Sequence, residues 1–368
     1  MFTFQAMQSE IPAEVLESII ASKDILAQSA GDLKVERLNG GLINHTYKLT
    51  NGFKPGLLLQ QINKNVFANP ADVQDNYMAI WQYANSSPAG LRLPAPAYFD
   101  ENCTLFIDNN ENYWRVFEFI DDARMFTVAV NAEQVKATAN AFALFTAAFT
   151  DFDVRLLKTV IPGFHDLLLR HRQFEEAIQT ASNERLSIAI PIIESLKQRE
   201  RYKHFYEAII QSDEFLLRVM HHDAKIANVL FSNKNGQVVC PVDFDTVMPG
   251  YFFSDMGDMI RSMVGSDDEN STNTDRLEIR KDFYEAILAG YLDVISNQLT
   301  DSEKKYIHYA GLLMIYMQAL RFIADYLNGD IYYRINYSEQ NFDRAKNQLT
   351  LLQKLEDFLN LHYHFNNE

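Results

Sequence analysis

This 368-residue chain has very few cysteines and fewer basic than acidic residues. Its two cysteines, Cys103 and Cys240, are too few for a disulfide framework or a cysteine zinc site, and the apolar runs around them predict two buried, reduced thiols. Lysine and arginine number 33 against 49 aspartates and glutamates, which gives a net charge of −16. Such a surface repels nucleic acid and anionic membranes, so we expect no nucleic-acid partner.

Signals for export and membrane insertion are also missing. The first ten residues lack a basic segment followed by an apolar core, and we find no apolar run of membrane-spanning length. We therefore expect a cytoplasmic protein without membrane contact, as a monomer or weak dimer. What the chain does have is 47% hydrophobic residues and enough length for two lobes with large cores.

Short apolar runs separated by turn signals predict a strand-rich N-terminal part. A helix over 12–29 comes first, and Asn69-Pro70 starts a second one with a capping residue and a proline at its first position. The predicted strands are five, over 35–38, 45–50, 57–62, 104–107 and 113–119.

From residue 131 onward, apolar residues at helical spacing predict long helices. They cover 131–150, 165–181, 192–212, 275–297, 301–328 and 339–361, interrupted only by an acid-rich hairpin at 221–245. The predicted class is α+β and bilobal, with a small β-rich lobe at 1–120 and a large helical lobe at 121–368. A cleft is expected at 119–124.

The chemistry is concentrated in His221-His222-Asp223-Ala-Lys225-Ile-Ala-Asn228 and in the Asp243-Phe-Asp245 that follows. Two apolar runs between them flank the tight-turn signal 233–236, so a hairpin would return Asp243 to the side of Asp223 and Asn228. Phosphoryl transfer to a hydroxyl needs such a set. One carboxylate receives the proton, while amide and carboxylate oxygens hold the magnesium that bridges the phosphates.

The pattern H-x-D-x-x-x-x-N followed by D-x-D resembles the aminoglycoside phosphotransferase and choline kinase group of small-molecule kinases. Within that group the chain is more similar to the N-acetylhexosamine 1-kinases. The segments that carry this likeness are 40–47, 58–67, 243–250, 255–258 and 320–327. The resemblance implies a protein-kinase-like fold, ATP and Mg²⁺ as cofactors, and an amino sugar phosphorylated on its anomeric hydroxyl.

On this basis Asp223 is the expected catalytic base, and Asn228 and Asp243 are the expected magnesium ligands. Asp245 either completes the metal shell or hydrogen-bonds the loop backbone. The resemblance also implies that His221 holds the catalytic loop. The segment Asp255-Met-Gly-Asp258 is expected to support the loop. One of its two acids would pair with Arg261 and brace the loop, and Asp258 is expected to be a supporting residue.

The nucleotide side is expected to combine a glycine loop, the third strand and a hinge, through Gly40, Gly41, Asn44, Thr46, Gln60, Glu118 and Ile120. The third strand departs from the kinase pattern, because Gln60 and Gln61 stand where a lysine or arginine normally contacts the phosphates. A neutral amide binds phosphate less strongly, and Lys48 or Lys64 could compensate.

Two questions stay open at this stage. Arg321 either points into the sugar site, as the resemblance suggests, or forms a salt bridge with Asp325 four residues on. The acceptor is either a sugar or another small alcohol such as choline, ethanolamine or homoserine. The glutamines of the third strand also motivate an alternative of another class, a nucleotide-binding pseudokinase.

Overall fold

The computed structural model describes residues 10–22, 33–38, 43–50, 56–88 and 90–365. They form two compact units. The first takes its residues from Met1–Met125, Asp151–Pro162 and Val229–Pro249, and the second from Phe126–Thr150, Gly163–Asn228 and Gly250–Glu368. The predicted α+β class is confirmed, and a lobe boundary at residue 120 stays a prediction.

The first unit contains an antiparallel sheet in the order β1-β2-β3-β6-β4, with β5 also paired to β6. Its strands are β1 (Lys34–Arg37), β2 (His45–Thr50), β3 (Leu57–Ile62), β4 (Pro96–Ala97), β5 (Leu105–Ile107) and β6 (Tyr113–Glu118). The sheet thus has six strands where five were predicted, since the two-residue β4 is too short for an alternating pattern.

Two helices accompany this sheet, α1 (Ala13–Ala21) and α2 (Pro70–Ser86). Val15 and Ile19 of α1 pack on one face of the sheet with Tyr47, Leu59 and Trp114, all almost completely buried. The predicted start of α2 is confirmed, with Asn69 as the N-cap. The part of the first predicted helix that lies beyond residue 22 falls outside the described residues.

A second sheet of the first unit is built on the acid-rich hairpin. It has the order β10-β9-β7, from β7 (Ala123–Arg124), β9 (Val229–Ser232) and β10 (Val238–Pro241). The predicted turn is confirmed, because β9 and β10 pair antiparallel around it and Gly236 adopts a positive φ of 71°.

The second unit is helical. Its helices are α3 (Ala132–Ala148), α4 (Leu167–Thr180), α5 (Asn183–Lys197), α6 (Arg201–Ile210), α7 (Phe253–Met263), α8 (Lys281–Ile295), α9 (Asp301–Lys305), α10 (Tyr309–Leu327) and α11 (Gln340–Tyr363). Two short strands are also present, β8 (Arg218–Met220) in the second unit and β11 (Met248–Gly250), of which only Gly250 belongs to that unit.

Helix α10 is the centre of the second unit, where it packs against α4, α7 and α11. It is the one described helix that is long and apolar enough to span a membrane, which corrects the expectation that no such run exists. Because 89% of its apolar window is buried inside the protein, it has the surroundings of a core helix.

Three further predictions are corrected. The helix expected over 192–212 is divided between α5 and α6, and the helix expected over 301–328 is divided between α9 and α10. Helix α7 was not predicted, because acids and a glycine occupy its inward positions. Cys240 is buried as expected, but Cys103 is exposed, with its Sγ atom 3.0 Å from the carbonyl oxygen of Leu105.

Candidate active site

The loop that contains Asp223 follows β8 in the second unit and is fixed by a buried acid, Asp255. The backbone N–H groups of His221 and His222 donate to its two carboxylate oxygens at 2.9 and 2.7 Å. His222 takes a left-handed conformation, with φ at 65°, which non-glycine residues rarely adopt. Asp255 therefore holds the turn that presents Asp223.

Asp223 has one carboxylate oxygen that is already engaged. Its Oδ2 atom accepts from Lys225 Nζ at 2.9 Å and from Asn228 Nδ2 at 2.8 Å. Burial alone would raise the pKa of Asp223, but the charge and hydrogen bond of Lys225, together with the charge of His221 and the hydrogen bond from Asn228, lower the pKa. The Asp223 side chain keeps 28% of its surface exposed, so its ionised carboxylate remains accessible as a proton acceptor.

Asn228 also has the geometry of a cation ligand. Its Nδ2 atom donates both to the carboxylate and to the backbone carbonyl of Asp223, each at 2.8 Å. The amide oxygen is thus turned away from the acid, and such an oxygen is a hard donor suited to Mg²⁺.

The remaining members of the loop region pack around it. The His221 ring is fully buried and meets the Phe142 ring edge-on, with centroids 5.1 Å apart. Arg261 donates to Asp258 at 2.8 Å and to Glu269 at 2.7 Å. The sequence predicted that one acid of this segment would both pair with Arg261 and brace the loop. The structure divides these tasks, because Asp258 pairs with Arg261 and Asp255 holds the loop.

His222, to which the sequence assigned no role, contacts a second histidine. Its Nδ1 atom lies 3.1 Å from Nδ1 of His165, and the His165 ring stacks on Phe164 with centroids 4.6 Å apart. Burial first, and then the charges of His222 and Arg321, lower the pKa of His165 well below its usual value. Burial therefore favours the neutral form of the His165 imidazole. No sequence signal joins residues 165 and 222.

Arg321 does not form the salt bridge with Asp325 that the sequence left open. Asp325 instead accepts from the backbone nitrogens of Ile331, Tyr332 and Tyr333. The guanidinium of Arg321 bonds Gln318 Oε1 at 3.1 Å and lies 5.5–5.7 Å from the ring centroids of Phe164, Tyr332 and Tyr333. It makes no ion pair within the described residues, and neither does nearby Arg170.

In the first unit, the segment after the hairpin carries the other two acids. Asp243 has a left-handed backbone with φ at 65°, and a short turn of 3₁₀ helix, Phe244–Thr246, follows. Phe244 is buried against Tyr77 of α2, with ring centroids 5.6 Å apart. This packing fixes the acids on either side of the phenylalanine.

Asp245 is buried in a polar network that the sequence did not predict. Its Oδ2 atom accepts from Asn44 Nδ2 at 2.6 Å, and its Oδ1 atom forms an ion pair with Arg115 of β6. Arg115 also donates to Gln60 Oε1, at 3.1 Å from Nε and 2.9 Å from Nη2. Of the expected nucleotide residues, the structure therefore brings Asn44 and Gln60 to Asp245 and Arg115.

Two more of the expected nucleotide residues, Thr46 and Glu118, lie on strands of the same sheet. Thr46 accepts from Gln60 Nε2 at 3.3 Å. At the hinge, Glu118 ends β6 and its carboxylate accepts from the backbone of Ala95 at 3.1 Å, while the backbone of Ile120 makes no hydrogen bond within the described residues. Gly40 and Gly41 fall outside the described residues.

One further group of possible metal ligands occurs among the described residues, formed by His171, Glu175 and Glu200. Lys203 pairs with Glu200 there, so this group already contains a cation.

Comparison with solved structures shows a kinase-like fold. An aminoglycoside phosphotransferase from Alicyclobacillus acidocaldarius subsp. acidocaldarius DSM 446 superposes with a TM-score of 0.64 at 13% identity, over 96% of each chain. A microcompartment-associated aminopropanol kinase gives 0.61 at 13% identity, over 95% of this chain and 98% of that one. The amicoumacin kinase hAmiN, solved with AMP-PNP, Ca²⁺ and Ami, gives 0.58 at 12% identity, over 95% and 96%.

These likenesses define the fold of the chain as kinase-like. The APH model, described as the phosphotransferase enzyme family, matches residues 34–297. The chain belongs to that family.

Proposed function

We propose that this protein is an ATP- and magnesium-dependent kinase that phosphorylates the anomeric hydroxyl of an N-acetylhexosamine, N-acetylglucosamine or N-acetylgalactosamine. Family membership supports phosphoryl transfer to a small molecule. The choice of amino sugar and of the 1-position rests on the sequence motifs, and the chemistry of the acceptor side supports an uncharged acceptor.

The observation that carries the acceptor class is the charge around Arg321. The pKa of Arg170 is lowered, mainly by burial and also by the charge of Arg321. The two guanidiniums therefore lie close to each other. Neither has a carboxylate partner within the described residues, and Asp166 is engaged in capping α4. A cationic acceptor such as choline would need acids or open aromatic faces. A polyhydroxylated sugar instead matches guanidinium donors flanked by aromatic rings.

In this proposal Asp223 orients the acceptor hydroxyl and takes its proton late, as the hydroxyl oxygen bonds to the γ-phosphorus and ADP departs. Its lowered pKa keeps it ionised, which suits a base whose task comes late. Lys225 neutralises the carboxylate oxygen that does not face the acceptor. His221, Asp255 and Asp258 hold the loop in place.

The metal ligands in the proposal are Asn228 and Asp243, whose oxygens are of the type Mg²⁺ prefers. When bound, the ion would neutralise charge on the phosphates. The amicoumacin kinase with the same fold was solved with an ATP analogue and a divalent ion, which supports this cofactor pair. Asn44, Thr46, Gln60, Glu118 and Ile120, together with Gly40 and Gly41, are the proposed nucleotide contacts.

A panel of acceptors tests the proposal. ADP release would be measured with N-acetylglucosamine, N-acetylgalactosamine, glucose, choline, ethanolamine, homoserine and aminopropanol. A 1-phosphate has no reducing end, so loss of the copper-reducing reaction would identify the hydroxyl that reacts.

Turnover of amino alcohols instead of sugars would overturn the acceptor class, and a product that still reduces copper would overturn the 1-position. ATP binding without ADP release from any acceptor would favour the pseudokinase alternative.

A further inference from the structure

The described part of the third strand offers no cation to the nucleotide phosphates. Protein kinases place a lysine on this strand and pair it with a glutamate of the following helix. Here Gln60 and Gln61 occupy the strand. The acid Asp75 of α2 pairs instead with Lys158, at 2.7 Å. Neither half of the usual ion pair is therefore present in its usual place.

A buried arginine lies one strand away. Thr46 of β2, Gln60 of β3 and Arg115 of β6 are directly opposed in the strand registers, so their side chains form a row on one face of the sheet. The opposite face carries the apolar core with Tyr47 and Trp114. The row is hydrogen-bonded throughout, from Arg115 through Gln60 to Thr46.

The charged side chain of Arg115 is buried, and burying a charge costs desolvation free energy. The Arg115 side chain is 3% exposed and that of Asp245 is 5% exposed. Desolvating such a pair commonly costs as much as the attraction returns, so its retention points to a role other than stability. Nε and Nη2 are used by Gln60 and Asp245, while Nη1 makes no hydrogen bond within the described residues.

The lysines that could have compensated are engaged elsewhere. Lys48 pairs with Asp121 at 3.2 Å and lies over the Phe119 ring. Lys64 donates to the carbonyl oxygens of Asn110 and Glu111.

We propose that Arg115 is the phosphate-binding cation of the nucleotide site, displaced from the third strand to the sixth. Gln60 and Asp245 are its positioning residues. Gln60 fixes the plane of the guanidinium, Asp245 balances its charge when no nucleotide is bound, and Nη1 meets the phosphate oxygens. The inference rests on the proposed kinase function and assigns the phosphate-binding cation that the third strand does not supply.

Binding of ADP in the presence of EDTA tests Arg115 apart from any metal ligand. The comparison is between D245N and R115Q/D245N in the full-length protein, because neither variant buries an unpaired carboxylate. D245N should bind metal-free ADP at least as tightly as the wild type, since a negative charge beside the phosphates is removed. Adding R115Q should weaken binding by about 10- to 100-fold, the usual range for a hydrogen bond to a charged group.

Two variants make the test specific. Adding Gln60→Lys to R115Q/D245N returns a cation to the strand and should restore most of the lost affinity, which a purely structural role for Arg115 would not allow. Lys64→Gln is the matched control and should change ADP affinity less than threefold. If R115Q/D245N does not fold, Gln60→Met provides the second measurement, with an expected loss of about three- to tenfold.

Equal ADP affinity of D245N and R115Q/D245N, or an unchanged affinity of Gln60→Met where the double variant does not fold, would overturn the assignment of Arg115. A wild type that binds no ADP would overturn both this assignment and the kinase function. A wild type that binds ADP through Arg115 but turns over no acceptor would overturn the sugar kinase alone.

Discussion

Lys225 holds its ammonium nitrogen 2.9 Å from the Oδ2 atom of Asp223. The same oxygen accepts from Asn228, so the second oxygen, Oδ1, is the one that can receive a proton from an acceptor. This division of the carboxylate leads to the first two predictions.

Asp223→Asn should remove turnover while leaving nucleotide binding intact. An amide cannot take the hydroxyl proton, and loss of a general base lowers kcat by about 10²- to 10⁴-fold. ADP affinity, measured by calorimetry, should stay within about threefold of the wild type, because Asp223 belongs to the acceptor side of the proposal. Near-normal turnover in this variant would mean that another group is the base.

Lys225→Met should move the acid limb of the pH–rate profile upward. Burial favours the neutral acid and Lys225 is the largest influence opposing it, so removing the ammonium raises the pKa of Asp223 above its present lowered value. A base is active only when ionised, so activity would be lost at a higher pH than in the wild type. Lys234→Met removes a lysine that pairs with exposed Asp122 and should leave the profile unchanged. Identical acid limbs in both variants would contradict the role of Lys225.

Arg321→Gln should lower kcat/KM for the sugar by about 10- to 100-fold, as expected for loss of charged hydrogen bonds, without changing KM for ATP. Arg321→Lys should recover only part of this loss, because an ammonium lacks the planar fork that lies among the aromatic rings. Arg172→Gln, at an exposed position of α4, is the control. A raised KM for ATP would show that Arg321 contributes to nucleotide binding and would contradict its role in binding the sugar.

Asp255→Asn should flatten the dependence of stability on pH. Burial raises the pKa of Asp255 from 3.8 to about 7, although the two backbone hydrogen bonds oppose the shift. The folded protein thus binds this proton more tightly than the unfolded chain. The resulting stability is complete below pH 3.8 and is lost as pH rises to about 7. Urea unfolding at pH 5 and pH 8 should show a smaller difference between the two pH values in the variant. An equal difference in both proteins would contradict the assignment.

Gly257→Ala should destabilise the second unit by about 1–3 kcal/mol or more, as overpacking a core does. A Cβ atom at this position would lie 2.3 Å from the carbonyl oxygen of Ala310 and 2.3 Å from Cγ of Met314. Met314→Ala should not rescue the variant, because the contact with the α10 backbone remains. Thermal unfolding checks both, and full rescue would show that the side chain alone sets the limit.

The sequence was sufficient where local pattern determines structure. The strands 45–50 and 57–62 were predicted at their observed bounds, since turn signals flank each run. Helix α7 was missed because Asp255 and Asp258 face inward, and their burial depends on partners in other segments. The kinase-group motifs predicted Asp223, Asn228 and Asp243 as site residues and left the role of Asp245 open, and these roles stay predictions.

The relation of Arg115 to Gln60 could not be predicted, since it is a cross-strand neighbour relation between residues 55 positions apart. Strand register is set by the packed sheet and not by either strand's own pattern. The contact of His165 with His222 could not be predicted either, because the two residues lie in separate loops, 57 positions apart in the sequence.

His222 and Asp243 share a backbone conformation, each with φ at 65°. Alanine is poorly tolerated in that conformation, whereas asparagine is among the residues that adopt it most readily. Alanine scanning at these two positions would therefore combine a backbone penalty with any chemical loss, and would make both residues look equally essential. Asparagine replacements keep the turn and report the side-chain chemistry alone.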